Sequence, residues 1–219
     1  MRAAMTAISK DAAFWSKISR KYAADPIRNV EGYLTTLGRT KSYLKPKDHV
    51  LEIGCGTGST ALLLAPHVAH ITATDLAPGM IEIAEEKRAE ENLNNVTFKV
   101  AEVLEHSAGE GTYDAVLAHN LLHLVPELDA VLANIASLTK PGGYFISKTV
   151  CAPPGGGLKY ALLRKLAIPL MQAFGKAPFV DFQVATVLEQ KIEDAGFEII
   201  ETADQAGLLP SRYIVARKT

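Results

Sequence analysis

The sequence predicts a doubly wound α/β fold: a mostly parallel seven-stranded sheet with helices on both faces, N-terminal helices ahead of it and a helical insertion after the fifth strand. Three observations predict it. Five short apolar runs, at residues 49–53, 70–74, 96–101, 113–118 and 144–150, alternate with helical stretches, the pattern of parallel βαβ units covered on both faces. The first run leads into a glycine-rich turn, Gly54-Cys55-Gly56-Thr57-Gly58, that opens a helix. Two more strand-like runs, 197–202 and 212–216, flank a short loop near the end of the chain and suit an antiparallel pair at a sheet edge.

Taken in order, residues 10–21 read as an amphipathic helix with Phe14, Trp15 and Ile18 at helical spacing, broken by Asp25-Pro26. A second helix is expected over 30–44, closed by Lys45-Pro46-Lys47-Asp48. Helices over 60–65, 78–92 and 125–139 connect the strands. After the fifth strand, Pro153-Pro154-Gly155-Gly156-Gly157 reads as a joint, and 158–174 as a very apolar helix bent near Pro169. The expected organisation is one domain over 1–219. It comprises a helical cap (1–45), a cofactor-binding core (46–150), a lid-like insertion (152–180) and a C-terminal helix with a strand pair (181–219).

The formal net charge of −1 disfavours a nucleic-acid binder that relies on a strong positive field. Cys55 and Cys151 form no metal or redox pattern, and His49, His67, His70 and His106 form no ligand set, so no metal is expected. No run is long and apolar enough to span a bilayer and no secretory leader is evident, which makes the cytoplasm the expected location.

The chemistry concentrates around the first turn. The spacing G-C-G-T-G differs from the G-x-G-x-x-G of dinucleotide sites, and Glu52 just before it sets a negative charge where a pyrophosphate would be repelled. A cationic ligand suits that position. Asp75 ends the second strand about twenty residues on, where a carboxylate can accept hydrogen bonds from both ribose hydroxyls.

These pieces, LEIGCGTGS, TATD followed by LAPGMIEIA, VTFKVAEVL, YDAVLAHNLLHLV and LTKPGGYFISK, stand in register over 49–148. In them the chain resembles the class I S-adenosylmethionine-dependent methyltransferases, within them the type 11 small-molecule group. The resemblance implies the Rossmann-like methyltransferase fold, S-adenosyl-L-methionine as cofactor and S-adenosyl-L-homocysteine as product. It implies that Gly54, Cys55, Gly56 and Gly58 wrap the methionine end with Glu52 in support, and that Asp75 binds the ribose. Leu76 and Met80 would pack on the adenine. Glu102 and Val103 take the place of the family's Asp-Ala beside the adenine amino group, with Glu102 one methylene longer. His119 and Asn120 would lie between cofactor and acceptor. Candidate bases or orienters are His119 and His123, and Tyr22 and Tyr33 could close over the cofactor.

The expected reaction is direct in-line methyl transfer to a small molecule, apolar if the 158–174 helix covers it. The alternatives to that lid are a buried packing or dimerisation helix and, after it, an interfacial helix that reaches a lipid or membrane-borne acceptor. A non-catalytic S-adenosylmethionine-binding or interaction protein, or a methyltransferase acting on lipid or protein, stays open. The sequence leaves the oligomeric state, the acceptor and its reacting atom unassigned. No nucleic-acid partner is expected, because residues 118–121 lack an Asn/Asp-Pro-Pro-Tyr motif.

Overall fold

The computed structural model of the chain describes residues 2–27, 29–104, 112–206 and 209–219, with side chains from Lys10 onward. Two helices come first, α1 (Arg2–Ala24) and α2 (Val30–Ser42). The first stops just before Asp25-Pro26, because a residue preceding proline is pushed out of the helical region. The second starts at Asn29, whose side chain accepts the Gly32 amide at 2.9 Å.

The sheet is then laid down in alternation with helices. β1 (His49–Ile53) is followed by α3 (Ser59–Leu64), β2 (His70–Asp75) by α4 (Pro78–Glu90), and β3 (Val96–Val100) by β4 (Tyr113–His119). α5 (Leu128–Leu138) leads straight into β5 (Thr139–Val150). The chain ends in α8 (Ala185–Asp194), β6 (Phe197–Gln205) and β7 (Ser211–Lys218). Between β5 and α8 lies the insertion, α6 (Gly157–Leu162), a π-helical stretch (Leu163–Ala167) and α7 (Ile168–Ala173). The seven strands run in the order β3-β2-β1-β4-β5-β7-β6. The first five are parallel, and β7 inserts antiparallel between β5 and β6, so the predicted fold class holds.

Each face of the sheet carries its own core. Leu51, Ile53, Phe145 and Ile214 face α5 and α8, while Val50, Ile71, Ile146 and Val215 face α3 and α4. Alternation along strands buried on both sides produces this division, which is why the strands read as continuous apolar runs.

The first helix is longer than read, Arg2–Ala24 against 10–21, as are the last two strands, and three further departures from the sequence reading have a local cause. α5 starts at Leu128, not at 125, because Val125 is held extended by the proline after it; a 3₁₀ turn (Leu122–Leu124) precedes it. β5 begins at Thr139, whose hydroxyl donates back to the Ile135 carbonyl at 2.7 Å and closes α5 there. The irregularity in the insertion falls over 163–167, one turn before Pro169. Proline lacks an amide and its ring crowds the carbonyl four residues earlier, so the turn ahead of it widens to the π form.

Candidate functional site

The glycine-rich turn joins β1 to α3 at the C-terminal edge of the sheet, where ligands of open α/β sheets collect. Gly54, Gly56 and Gly58 all have left-handed φ, at +67°, +55° and +77°. A Cβ on Gly58 would lie 2.6 Å from the Phe98 ring and 2.8 Å from the Ala84 Cβ, so packing alone demands glycine there. At Gly56 an added Cβ meets nothing within 4 Å: its backbone borders open space. The two positions therefore separate stability from binding. Gly58→Val is expected to lower stability by about 3 kcal/mol from overpacking and left-handed strain. Gly56→Val should lose only about 1–2 kcal/mol of strain in a thermal melt, yet abolish cofactor binding by titration.

Lys87 latches the turn from α4. Its ammonium donates to the Thr57 carbonyl at 3.2 Å, the Thr57 hydroxyl at 3.0 Å and the Ser59 hydroxyl at 3.1 Å. The Cys55 amide donates to the Thr74 carbonyl at 2.9 Å. Its thiol is buried, and burial followed by the charges of Glu52 and Asp75 pushes it well above the usual range, which removes it as a nucleophile.

Two carboxylates lie beneath this turn. Glu52 is 2 % exposed; the Ala61 amide in α3 bonds to its carboxylate, but Oε2 is buried without a partner. Burial, with a further contribution from Asp75, raises it to about 8 despite that amide. Asp75, 9 % exposed, accepts the Gly56 amide on Oδ2 and the Ala77 amide on Oδ1, each at 2.9 Å. Burial raises it as well, and the two amides oppose the shift. Two acids crowded at one turn make a site that welcomes a cation and repels a phosphate.

At the end of β4, His119 is paired in register with Lys148 of β5, which is paired with Tyr213 of β7, so the three form a row across neighbouring strands. Helix α2 covers the row. Thr40 Oγ1 lies 3.5 Å from His119 Nε2 and 3.4 Å from the Tyr213 hydroxyl, and the Lys148 ammonium donates to Thr36 Oγ1 at 3.3 Å. Burial and then the Lys148 charge hold His119 down to about 4, so the ring is neutral at pH 7. Asn120 follows with φ +56° and its amide donates to the Lys148 carbonyl at 2.6 Å. Asparagine tolerates this conformation far better than β-branched residues. Asn120→Gly should leave the melting temperature within a degree or two, whereas Asn120→Val should lower stability by about 2 kcal/mol.

His123 belongs to a separate group. Its ring stacks on Phe182 with centroids 5.9 Å apart, and Phe182 meets Tyr160 of α6 at 6.3 Å. Burial lowers His123 to about 4; both its Nδ1 and the Tyr160 hydroxyl are buried without partners. Tyr160 also lines an apolar cavity of about 290 Å³ with Leu163, Ala167 and Leu209. An aromatic chain thus links the end of β4 to an apolar space beneath the insertion.

The N-terminal tyrosines reach the turn. Tyr33 lies 3.5 Å from the Thr60 hydroxyl, and its phenol is raised first by burial and also by the charge of Glu52. Tyr22 is half exposed, stands edge-on to Trp15, and is raised by burial and then by Asp75. α1 itself runs from α4 to the insertion: Ser16 accepts the Gly79 amide at 3.3 Å, and Asp11 accepts the Phe179 amide at 3.3 Å.

The structure therefore brings Glu52, Gly54, Cys55, Gly56, Gly58, Asp75, Tyr22 and Tyr33 together at one turn, with His119 and Asn120 on the adjacent strand end. Leu76 follows Asp75 and is half-buried, Met80 is 2 % exposed within α4, and Glu102 and Val103 follow β3. His106 lies outside the described residues. Among the described residues no three His, Cys, Asp or Glu side chains converge in a metal-binding group. Sequence reasoning missed Lys87, Lys148, Tyr160 and Phe182. Lys148 was reachable, since it stands at the C-terminal end of the strand beside His119; the other three come from elements whose approach no local pattern encodes.

The comparisons bear on the fold. A family model described as "Methyltransferase domain" matches residues 50–143. The highly reducing polyketide synthase PKS2 of Leptosphaeria maculans is 28% identical over 216 residues, 90% of this chain and 8% of the relative. The highly reducing polyketide synthase easB of Emericella nidulans is 31% identical over 191 residues, 80% of this chain and 7% of the relative. This chain thus spans less than a tenth of the length of these relatives. Among solved structures, a SAM-dependent methyltransferase of Methanosarcina mazei superposes with a TM-score of 0.70 at 23% identity, covering 82% of this chain and 96% of that one. Residues 50–143 are similar to the methyltransferase-domain family, and the sheet is that of the Rossmann-like methyltransferase fold.

Proposed function

We propose that the chain, read as one domain acting in the cytoplasm, transfers the methyl group of S-adenosylmethionine in line to a small molecule with an apolar body. The observation that carries the reading is the buried, unpartnered Oε2 of Glu52 beneath a turn whose Gly56 borders open space. That oxygen awaits a donor with positive charge, and the amino end of the cofactor supplies one.

In this reading Glu52 and the amides of the 54–58 turn hold the methionine end, and Asp75 takes the ribose hydroxyls. Leu76, Met80, Glu102 and Val103 border the adenine. When bound, the cofactor supplies a methyl on a sulfonium, a leaving group that needs no activation. The work left to the chain is alignment and exclusion of water. His119 and Asn120 flank the acceptor side, Tyr22 and Tyr33 close over the turn, and neutral His123 takes a proton on Nδ1 where the acceptor must lose one. The apolar cavity lined by Tyr160, Leu163, Ala167 and Leu209 supports an apolar acceptor, and similarity to polyketide synthases supports a small one.

The test has two arms. Calorimetric titration should give saturable binding of S-adenosylmethionine and S-adenosylhomocysteine and none of NAD. Release of S-adenosylhomocysteine should then be detected over a panel of small acceptors, faster for apolar members. Failure of both sulfur ligands to bind a folded, ligand-free sample would overturn the reading; binding without turnover on any acceptor would favour a non-catalytic binder.

A further inference from the structure

The insertion carries a surface that the methyl-transfer reading leaves largely unused, although its Lys159 and Leu162 also border the apolar cavity. Leu158, Leu162, Leu166, Leu170 and Phe174 recur every four residues, and each is between 56% and 86% exposed. In a regular α-helix such a stripe would creep around the axis, since four residues overshoot one turn. The π stretch over 163–167 winds less per residue and takes back part of that creep, which narrows the stripe to a ridge about 25 Å long that ends at Phe174, just past α7.

The flanks are basic. Lys159 follows one ridge residue, Lys165 precedes another, and both are exposed. Residues 157–180 contain four basic side chains, Lys159, Arg164, Lys165 and Lys176, and no acidic one. Only Arg164 finds a carboxylate among the described residues, Asp181 at 3.4 Å. None of the helical residues of the insertion is fully buried, and the glycines at 155 and 157 would leave an added Cβ in open space. A long apolar ridge flanked by lysines on a loosely seated helix has the chemistry of an interfacial element: leucines enter the acyl boundary while lysines snorkel to the headgroups. Among the described residues no helix is long and apolar enough to cross a membrane, so the contact is a surface one.

We propose that the ridge Leu158–Leu162–Leu166–Leu170–Phe174, flanked by Lys159 and Lys165, docks the protein on an anionic lipid bilayer. Because Lys159 and Leu162 also border the apolar cavity, the proposal is read by vesicle binding and not by turnover. Flotation with phosphatidylcholine vesicles containing one third phosphatidylglycerol should recover the protein, pure phosphatidylcholine should recover far less, and salt should weaken the difference. Leu162→Gln with Leu166→Gln and Leu170→Gln should lower vesicle affinity about 100-fold, with the melting temperature unchanged because these side chains are exposed. A second variant, Lys159→Ala with Lys165→Ala, should remove about ten-fold of the preference for the anionic vesicles. Equal recovery on both vesicles, or vesicle affinity unchanged in the leucine variant, would overturn the proposal. So would a wild-type dimer in sedimentation that the leucine variant abolishes, which would assign the ridge to a second copy of the chain.

Discussion

Asp75→Ala is expected to abolish measurable binding of S-adenosylmethionine, a loss of at least about 100-fold in titration. The carboxylate does two things at once. It receives the Gly56 and Ala77 amides, which shape the turn, and on the proposed reading its remaining lone pairs receive the ribose hydroxyls. Hydrogen bonds to a charged group contribute about 1.5–3 kcal/mol each, and two lost together exceed that hundred-fold factor. The alanine variant should also melt earlier, because two partly buried amides lose their acceptor. Asp75→Asn keeps one acceptor oxygen and separates the roles: stability should recover more than affinity. Wild-type affinity in the alanine variant would show that the ribose is held elsewhere.

Glu52→Gln is expected to stabilise the ligand-free protein above neutral pH while weakening the cofactor. The sign follows from linkage. The folded carboxyl is raised to about 8, whereas an unfolded glutamate titrates near its ordinary 4.5, so the folded state binds more protons between those values. Stability attributable to Glu52 is full below about 4.5 and is lost as pH climbs through about 8. Glutamine has no proton to lose, and its melting temperature should stay level over that window while the wild type declines. Binding reverses the preference, because a cationic amino end favours the ionised carboxylate. Titration near pH 7 in buffers of different ionisation enthalpy should therefore show close to one proton released by the wild type and none by the variant. Equal proton release in both would assign it to another group.

The strands were legible because burial on both faces writes them as apolar runs, and the turn was legible because its geometry admits little besides glycine. The carboxylates were legible for a related reason: Glu52, one residue before the end of β1, and Asp75, the last residue of β2, lie at the ligand edge, where charge without purpose is costly. What escaped was set by tertiary approach. The stacking of His123 on Phe182, and of Phe182 near Tyr160, joins residues up to 59 positions apart, and the π stretch depends on how Pro169 acts on the turn before it. The ridge was present in the sequence as a four-residue repeat, but which side of the helix would stay uncovered is a property of the packed molecule.

The attachment of α1 has a kinetic consequence. Apart from the close seat of Ser16 and buried Ser19 on Gly79 of α4, its polar ties are peripheral: exposed Arg20 to Glu82 and Glu86, and one aspartate on Phe179. Contacts of that kind break at a small fraction of the free energy that holds the sheet together. On the proposed reading, a nucleoside can then enter and leave by the swing of one helix while the seven strands remain closed, and the residence time of spent cofactor is set by a local opening that ionic strength can shorten.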